Sequence, residues 1–138
     1  MVGRVSDRNV EVVRRALEHY LQTGQLLEEA LDPDFVWDMS TFVGWPEQPE
    51  FTGPDGLRQF IEIWQEPWDD WRMQLDELHD CGDDRVLALL RQSGKPHGSD
   101  SAVHLAYGML HTLLDGRISR IHVYATLDEA RQAAALSA

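Results

Sequence analysis

Two alternating runs, Ser101 to Leu113 and Ile118 to Ala125, meet across the dipeptide Asp115-Gly116. Asp-Gly between such runs signals a β-hairpin, because both residues tolerate the positive φ angles of a tight turn. Upstream, Trp71, Met73 and Leu75 alternate with Arg72, Gln74 and Asp76, as on a half-buried strand. Gly82-Asp83-Asp84 turns the chain into Arg85 to Gln92, and Ser93 to Asp100 reads as a small-residue loop. The second half of the chain is therefore expected to be consecutive antiparallel strands.

The first half is mostly helical. Val10, Val13, Leu17, Tyr20 and Leu21 recur at helical spacing from Asp7 to Thr23, with Ser6 or Asp7 as cap and Gly24 as stop. Gln25 to Leu31 reads as a short second helix ended by Asp32-Pro33-Asp34. Phe35 to Met39 is a first strand, and Thr41 to Thr52, broken by Pro46 and Pro49, a loop. Gly53-Pro54 opens a helix whose stripe is Leu57, Phe60, Ile61 and Trp64, and Pro67 ends it. Thr126-x-x-Glu129 is a capping box for a short C-terminal helix through about Leu136. Helices followed by consecutive strands predict an α+β domain, with helices covering one face of a mostly antiparallel sheet. Residues 1–138 are expected to form one domain, since no linker or repeat divides them.

Charge narrows the partners. Twelve Lys and Arg against twenty-four Asp and Glu give a net charge of −12, and no basic stripe is present for nucleic acid. The same excess disfavours anionic membranes, and no apolar run approaches a transmembrane length. The opening residues carry no apolar signal core, so a cytoplasmic protein is expected. Cys81, the single cysteine, excludes an internal disulfide and a cysteine zinc cluster. His104 and His111 are seven apart and on one strand face opposite sides, so no metal is expected. No glycine-rich phosphate loop is present, and no cofactor is expected.

The hairpin register decides which side chains share the covered face, and two turns compete. A two-residue loop pairs Leu114 with Arg117; a three-residue loop with a bulged Gly116 pairs Leu113 with Arg117. The second keeps Tyr107, Met109, His111 and Leu113 beside Ser119, Ile121, Val123 and Ala125, with Val103 and Leu105 on the same side. His104, Thr112, Arg120, His122 and Tyr124 then face away. The first mixes Arg120 and His122 into the apolar set. On hydrophobic pattern the three-residue loop is chosen, which leaves His111, Ser119 and the Tyr107 hydroxyl as polar groups in an apolar hollow.

Phe35-Val36-Trp37-Asp38, Phe51 through Leu57, Trp68-Asp69-Asp70-Trp71, Arg85-Val86-Leu87, Thr112 through Ile118 and Tyr124 through Leu136 occur in the order and spacing of one family. Over nearly its whole length the chain resembles the SnoaL-like polyketide cyclases, of the nuclear-transport-factor-2-like superfamily that includes ketosteroid isomerase. The resemblance implies a curved, mostly antiparallel sheet wrapped around three helices as a cone, with a short C-terminal helix. It also implies an apolar pocket, a small hydrophobic ligand and a homodimer. Function does not follow from this fold alone, since it hosts enzymes and binders.

The resemblance puts Asp38 where ketosteroid isomerase has its proton-transferring Asp, while Leu17 stands in place of that enzyme's donor Tyr. Arg91 falls near the Arg of the limonene-epoxide hydrolase set, but Ser93 replaces its first Asp, and Val123 replaces the last-strand acid. Asp38 reads as a general base or as a strand-end carboxylate in water. His111 reads as an acid/base group or as a satisfied core histidine, bonded for instance to Ser119. Arg91 reads as an oxyanion clamp or as an exposed, paired cation. Trp37, Trp45, Trp64, Trp68 and Trp71 read as ring-stacking surfaces or as core, with Trp45 the lid candidate and Phe60 and Trp64 lining the pocket.

Three functions are therefore expected in turn. One is a cofactor-free isomerase, cyclase or dehydratase on a small cyclic carbonyl compound, with Asp38, His111 and Arg91 catalytic. Tyr107, Met109, Trp45, Phe60, Trp64, Trp68, Ile121 and Val123 would hold its substrate. The others are a non-catalytic binder using the same pocket, and a dimerisation module whose cone is filled by its own aromatics.

Overall fold

A computed structural model describes residues 5–42, 44–46 and 48–136. Helix α1 (Val5–Thr23) is followed by a 3-10 turn (Glu28–Ala30) and strand β1 (Leu31–Asp38). Strand β2 (Glu50–Thr52) leads into helix α2 (Gly53–Gln65). The long strands β3 (Trp68–Gly82), β4 (Arg85–Pro96), β5 (Val103–Leu114) and β6 (Arg117–Tyr124) and helix α3 (Leu127–Leu136) complete the chain. One six-stranded sheet runs β2-β1-β6-β5-β4-β3, parallel at β1–β6 and antiparallel elsewhere. This is the α+β architecture expected.

Both faces of the sheet are covered, by different helices. Val13 and Leu17 of α1 and Leu57 and Phe60 of α2 pack with Phe35, Trp37, Val86, Ala88, Leu90, Met109, Ile121 and Val123 into the main core. Leu87, Leu89 and Leu110 point the other way and pack with Ala130 and Ala134 of α3. Alternation along β4 thus feeds two cores at once. A Cβ on Gly108 would lie 2.2 Å from the Ala130 Cβ, so α3 sits directly on the β5 backbone there. The capping box is formed: Glu129 N–H donates to Thr126 Oγ1 at 3.1 Å.

Five expectations change. The second helix is only the turn Glu28–Ala30, and Leu31 already belongs to β1. So short a stretch between Gly24 and Pro33 leaves too few residues to repay helix nucleation. Asp32-Pro33-Asp34 lies within β1, where the pairing with β6 slips between Leu31 and Val36 and so spares proline its missing N–H. Helix α1 starts at Val5, ahead of the expected caps. Glu50–Thr52, placed in a loop, pairs with β1, and β4 runs on to Pro96.

The hairpin corrects the chosen three-residue loop: the bulge it invoked exists, but at Ser119 and not at Gly116. Asp115 and Gly116, at φ 51° and 79°, make a two-residue turn, and Leu114 pairs with Arg117. The ladder then slips by one residue: Leu113 pairs with Ile118, but Thr112 pairs with Arg120. Ser119 is the extra residue of this bulge, its Oγ donating to the Thr112 carbonyl at 3.1 Å. Beyond it His111 faces Ile121 and Met109 faces Val123, so Tyr107, Met109, His111, Leu113, Ile121 and Val123 face inward as predicted and Ile118 joins them, whereas Ser119 does not and Val103 and Leu105 lie exposed toward the open end of β5. Among the described residues no helix is long and apolar enough to cross a membrane.

Candidate functional site

The inner face of the sheet, α1 and α2 enclose a cavity of about 90 Å³. Tyr107, Met109, His111, Ile121 and Val123 reach it from β5 and β6, and Phe60, Ile61, Trp64 and Gln65 from α2. Leu17 and Tyr20 come from α1, Trp37 from β1, and Trp71 and Met73 from β3. Aromatic rings form much of the wall: Phe60 and Trp64 stack at 5.6 Å, and Trp64 meets Tyr107 edge-on at 5.9 Å.

No lining side chain is charged at neutral pH. His111 is 1% exposed, and its Nδ1 lies 3.3 Å from the Val86 carbonyl and 3.2 Å from the Met109 carbonyl. Carbonyls only accept, so Nδ1 carries the proton and Nε2 holds a lone pair. Burial pushes the imidazole down to about 4, against the smaller opposing effect of those carbonyls. Burial pushes the Tyr107 and Tyr20 hydroxyls up, so both stay protonated. Tyr107 donates to Met73 Sδ at 3.1 Å, and Gln65 Nε2 donates to the Tyr20 hydroxyl, joining α1 to α2. Trp64 Nε1 donates to Oε1 of the buried Gln92 at 2.8 Å. Two lining residues have no such partner: the indole nitrogens of Trp37 and Trp71 are buried without a hydrogen bond.

The structure brings His111, Tyr107, Met109, Phe60, Trp64, Ile121 and Val123 together around the cavity and leaves Asp38, Arg91, Trp45 and Trp68 outside it. Asp38 lies on the opposite face, because Trp37, its neighbour on β1, faces Ile121 inside. There Arg120 Nη1 donates to Asp38 Oδ2 at 2.7 Å, His122 Nε2 lies 3.2 Å from the same oxygen, and Ser40 N–H donates to Oδ1 at 2.8 Å. Burial would raise this carboxyl, but the hydrogen bonds from Ser40 and the proximity of His122 and Arg120 outweigh it and hold it below the usual range. Arg91 is exposed and grips Asp76 through Nε at 2.5 Å and Nη2 at 3.3 Å. Trp68 packs over Gly94, whose position would set a Cβ 3.1 Å from the indole. Trp45 backs Phe60 and Trp64 from behind, at 5.4 and 6.0 Å, rather than covering the cavity.

Tyr20, Gln65, Trp37 and Trp71 line the cavity but were not singled out as its polar groups. Tyr20 sits on the α1 stripe and Gln65 one turn after Ile61, so helical spacing carried a signal for both. Among the described residues no group of three His, Cys, Asp or Glu is placed to hold a metal ion.

The model of the SnoaL-like domain family matches residues 13–121. A protein assigned as a SnoaL-like polyketide cyclase, from Jannaschia sp. CCS1, superposes with a TM-score of 0.70 at 18% identity, covering 98% of this chain and 96% of its own. Bal32a, from a soil-derived mobile gene cassette, gives 0.74 at 15% identity over 91% and 95% of the two chains. TerC, co-crystallised with polyporic acid, gives 0.71 at 15% identity over 92% and 98%. Further matches are described as NTF2-like or as having a cystatin-like fold. At such identities the likeness is one of fold. A search of curated proteins gave no match.

Proposed function

Because the chain belongs to the SnoaL-like domain family, a fold that supports small-molecule binding or cyclase-type chemistry, we propose that its cavity binds one small, uncharged, ring-bearing compound. The observation that carries this reading is a wall of apolar and aromatic side chains without a single ionised group. Desolvating a charged ligand there would go uncompensated, whereas a flat apolar ring gains from every surface it covers. The free volume falls below the ~300 Å³ at which drug-sized pockets begin, so the ligand is a small one or the cavity widens around it. TerC, co-crystallised with polyporic acid, shows that a protein of this fold can be taken into crystals with a small organic molecule.

A second reading adds isomerase-, cyclase- or dehydratase-type proton transfer on a cyclic carbonyl compound, without a cofactor, and His111 favours it. Its proton is committed at Nδ1, which leaves the Nε2 lone pair as the available base in the cavity wall. Asp38 and Arg91 have no part in this version, since neither lines the cavity.

Calorimetric titration with cumene (isopropylbenzene) tests the binding reading. Saturable binding to the wild type, abolished by Ile121→Trp, is expected. No binding up to the solubility limit of cumene overturns it. Turnover of ring ketones that survives His111→Gln overturns the catalytic reading alone.

A further inference from the structure

Every other polar side chain on the cavity wall already makes at least one hydrogen bond. Tyr107 bonds Met73, Tyr20 bonds Gln65, Trp64 bonds Gln92, and His111 Nδ1 faces two backbone carbonyls. Trp37 and Trp71 are the exceptions, and among the described residues their indole nitrogens are the buried side-chain atoms recorded with no partner. Trp37 is 5% exposed and held on the inner face of β1, so solvent cannot serve it. Leaving such a donor unpaired costs its desolvation with nothing in return, and native proteins rarely do so without a use for it.

The placement of Trp71 requires a local distortion. Asp69 pairs with Lys95 but Arg72 pairs with Ser93, so β3 carries one extra residue at this point. Asp70 adopts φ 52°, a left-handed conformation that non-glycine residues seldom take. Bulges of this kind re-aim a neighbouring side chain, and here the neighbour is Trp71, which reaches the cavity wall.

We infer that the Trp37 and Trp71 indole N–H groups are the polar anchors of this cavity and donate to the acceptor oxygens of a neutral ligand, the class being aryl ketones and related carbonyl compounds. This rests on the cavity-binding reading above and adds to it the chemistry of the ligand's polar end. A carbonyl matches two spare donors in a neutral wall. A protonated amine would bring a charge that nothing in the wall offsets, and an ionised acid has no cation to meet.

Acetophenone and cumene have nearly the same shape and differ in a carbonyl oxygen against a methyl group. Binding of both to wild type and to Trp71→Phe is measured by calorimetry, with the ratio of the two affinities as the readout. A change of ring size alters both affinities, whereas loss of the N–H alters only the ketone's. The wild type is expected to favour acetophenone, and in Trp71→Phe the ratio is expected to fall about tenfold, the worth of one hydrogen bond of ~1.4 kcal/mol. Trp37 lies deep in the core, so its role is read without substitution. Both ¹⁵N-indole cross-peaks are expected to shift with acetophenone and to stay in place with cumene. An unchanged ratio with unresponsive indole signals overturns the inference while leaving the cavity reading intact. Failure of both probes to bind the wild type overturns both.

Discussion

Arg120 Nη1 donates to Asp38 Oδ2 at 2.7 Å on the face of the sheet turned away from the cavity. The carboxylate is 4% exposed and meets Arg120, His122 and the Ser40 amide together, so it is a structural group of the β1–β6 pairing.

Asp38→Asn is accordingly expected to lower the thermal midpoint by several degrees, since it leaves Arg120 facing an amide in place of a carboxylate, a loss of about 1–3 kcal/mol. The folded carboxyl titrates below the ordinary range. Its contribution is therefore present above the unfolded pKa of about 4 and is lost as pH falls through the lower folded value. Calorimetric melts of both proteins at pH 7 check this; a higher midpoint for the amide would contradict it.

His111 gives the acid side of the stability profile a second slope. Its folded pKa is about 4 against 6.5 when exposed. The neutral ring's contribution is full above 6.5 and is lost progressively as pH falls from there to about 4. That loss amounts to about 3 kcal/mol. Urea melts at half-unit pH steps are expected to show this decline in the wild type and a flatter curve for His111→Gln. Identical slopes in the two proteins would show that His111 does not titrate in that window.

His97 points the other way. Its Nδ1 lies 2.8 Å from Asp69 Oδ1 and its Nε2 contacts the Glu66 carbonyl, two acceptors that only the doubly protonated ring can satisfy. The Asp69 hydrogen bond, then the Glu66 carbonyl, raise its pKa. This tie between the end of α2 and the loop after β4 is full below about 6.5 and is lost as pH rises through the higher folded value. An NMR titration of the His97 ring should give a midpoint above that of a free histidine, moved down by Asp69→Asn. Equal midpoints in the two proteins would dismiss the tie.

Gly108 is the contact point between α3 and the outer face of β5. Gly108→Ala is expected to destabilise by roughly 1–3 kcal/mol, because the new methyl group must displace the Ala130 Cβ now 2.2 Å away. Adding Ala130→Gly should recover most of that loss. Equal stabilities for the single and double variants would show that the helix yields freely.

The parts of the fold that follow from neighbours in sequence were legible. Thr126 with Glu129 and the stripe of α2 each act within a few residues and form as read, and Asp115-Gly116 does turn the chain, though as a two-residue loop in place of the chosen three-residue one. Seven of the predicted site residues converge for the same reason, since alternation on β5 and β6 and spacing on α2 fix their side. Asp38 was misplaced even though the alternation Phe35, Val36, Trp37, Asp38 already separates it from its aromatic neighbours. The resemblance supplied a role that overrode the local pattern. The bulges before Arg72 and around Ser119 depend on pairing across strands, and no local residue type announces them.

Ser119 is one residue in a strand of eight, yet it acts as a parity bit for everything after it. Continued without a slip from Leu114 and Arg117, the ladder would set Arg120 opposite His111 and His122 opposite Met109. The hollow would then hold a guanidinium and a second imidazole, and Asp38 would lose both of its side-chain partners. One inserted residue thus separates an ionic hemisphere from a neutral one, and the kind of molecule this domain can admit is decided by backbone counting before any side chain is chosen.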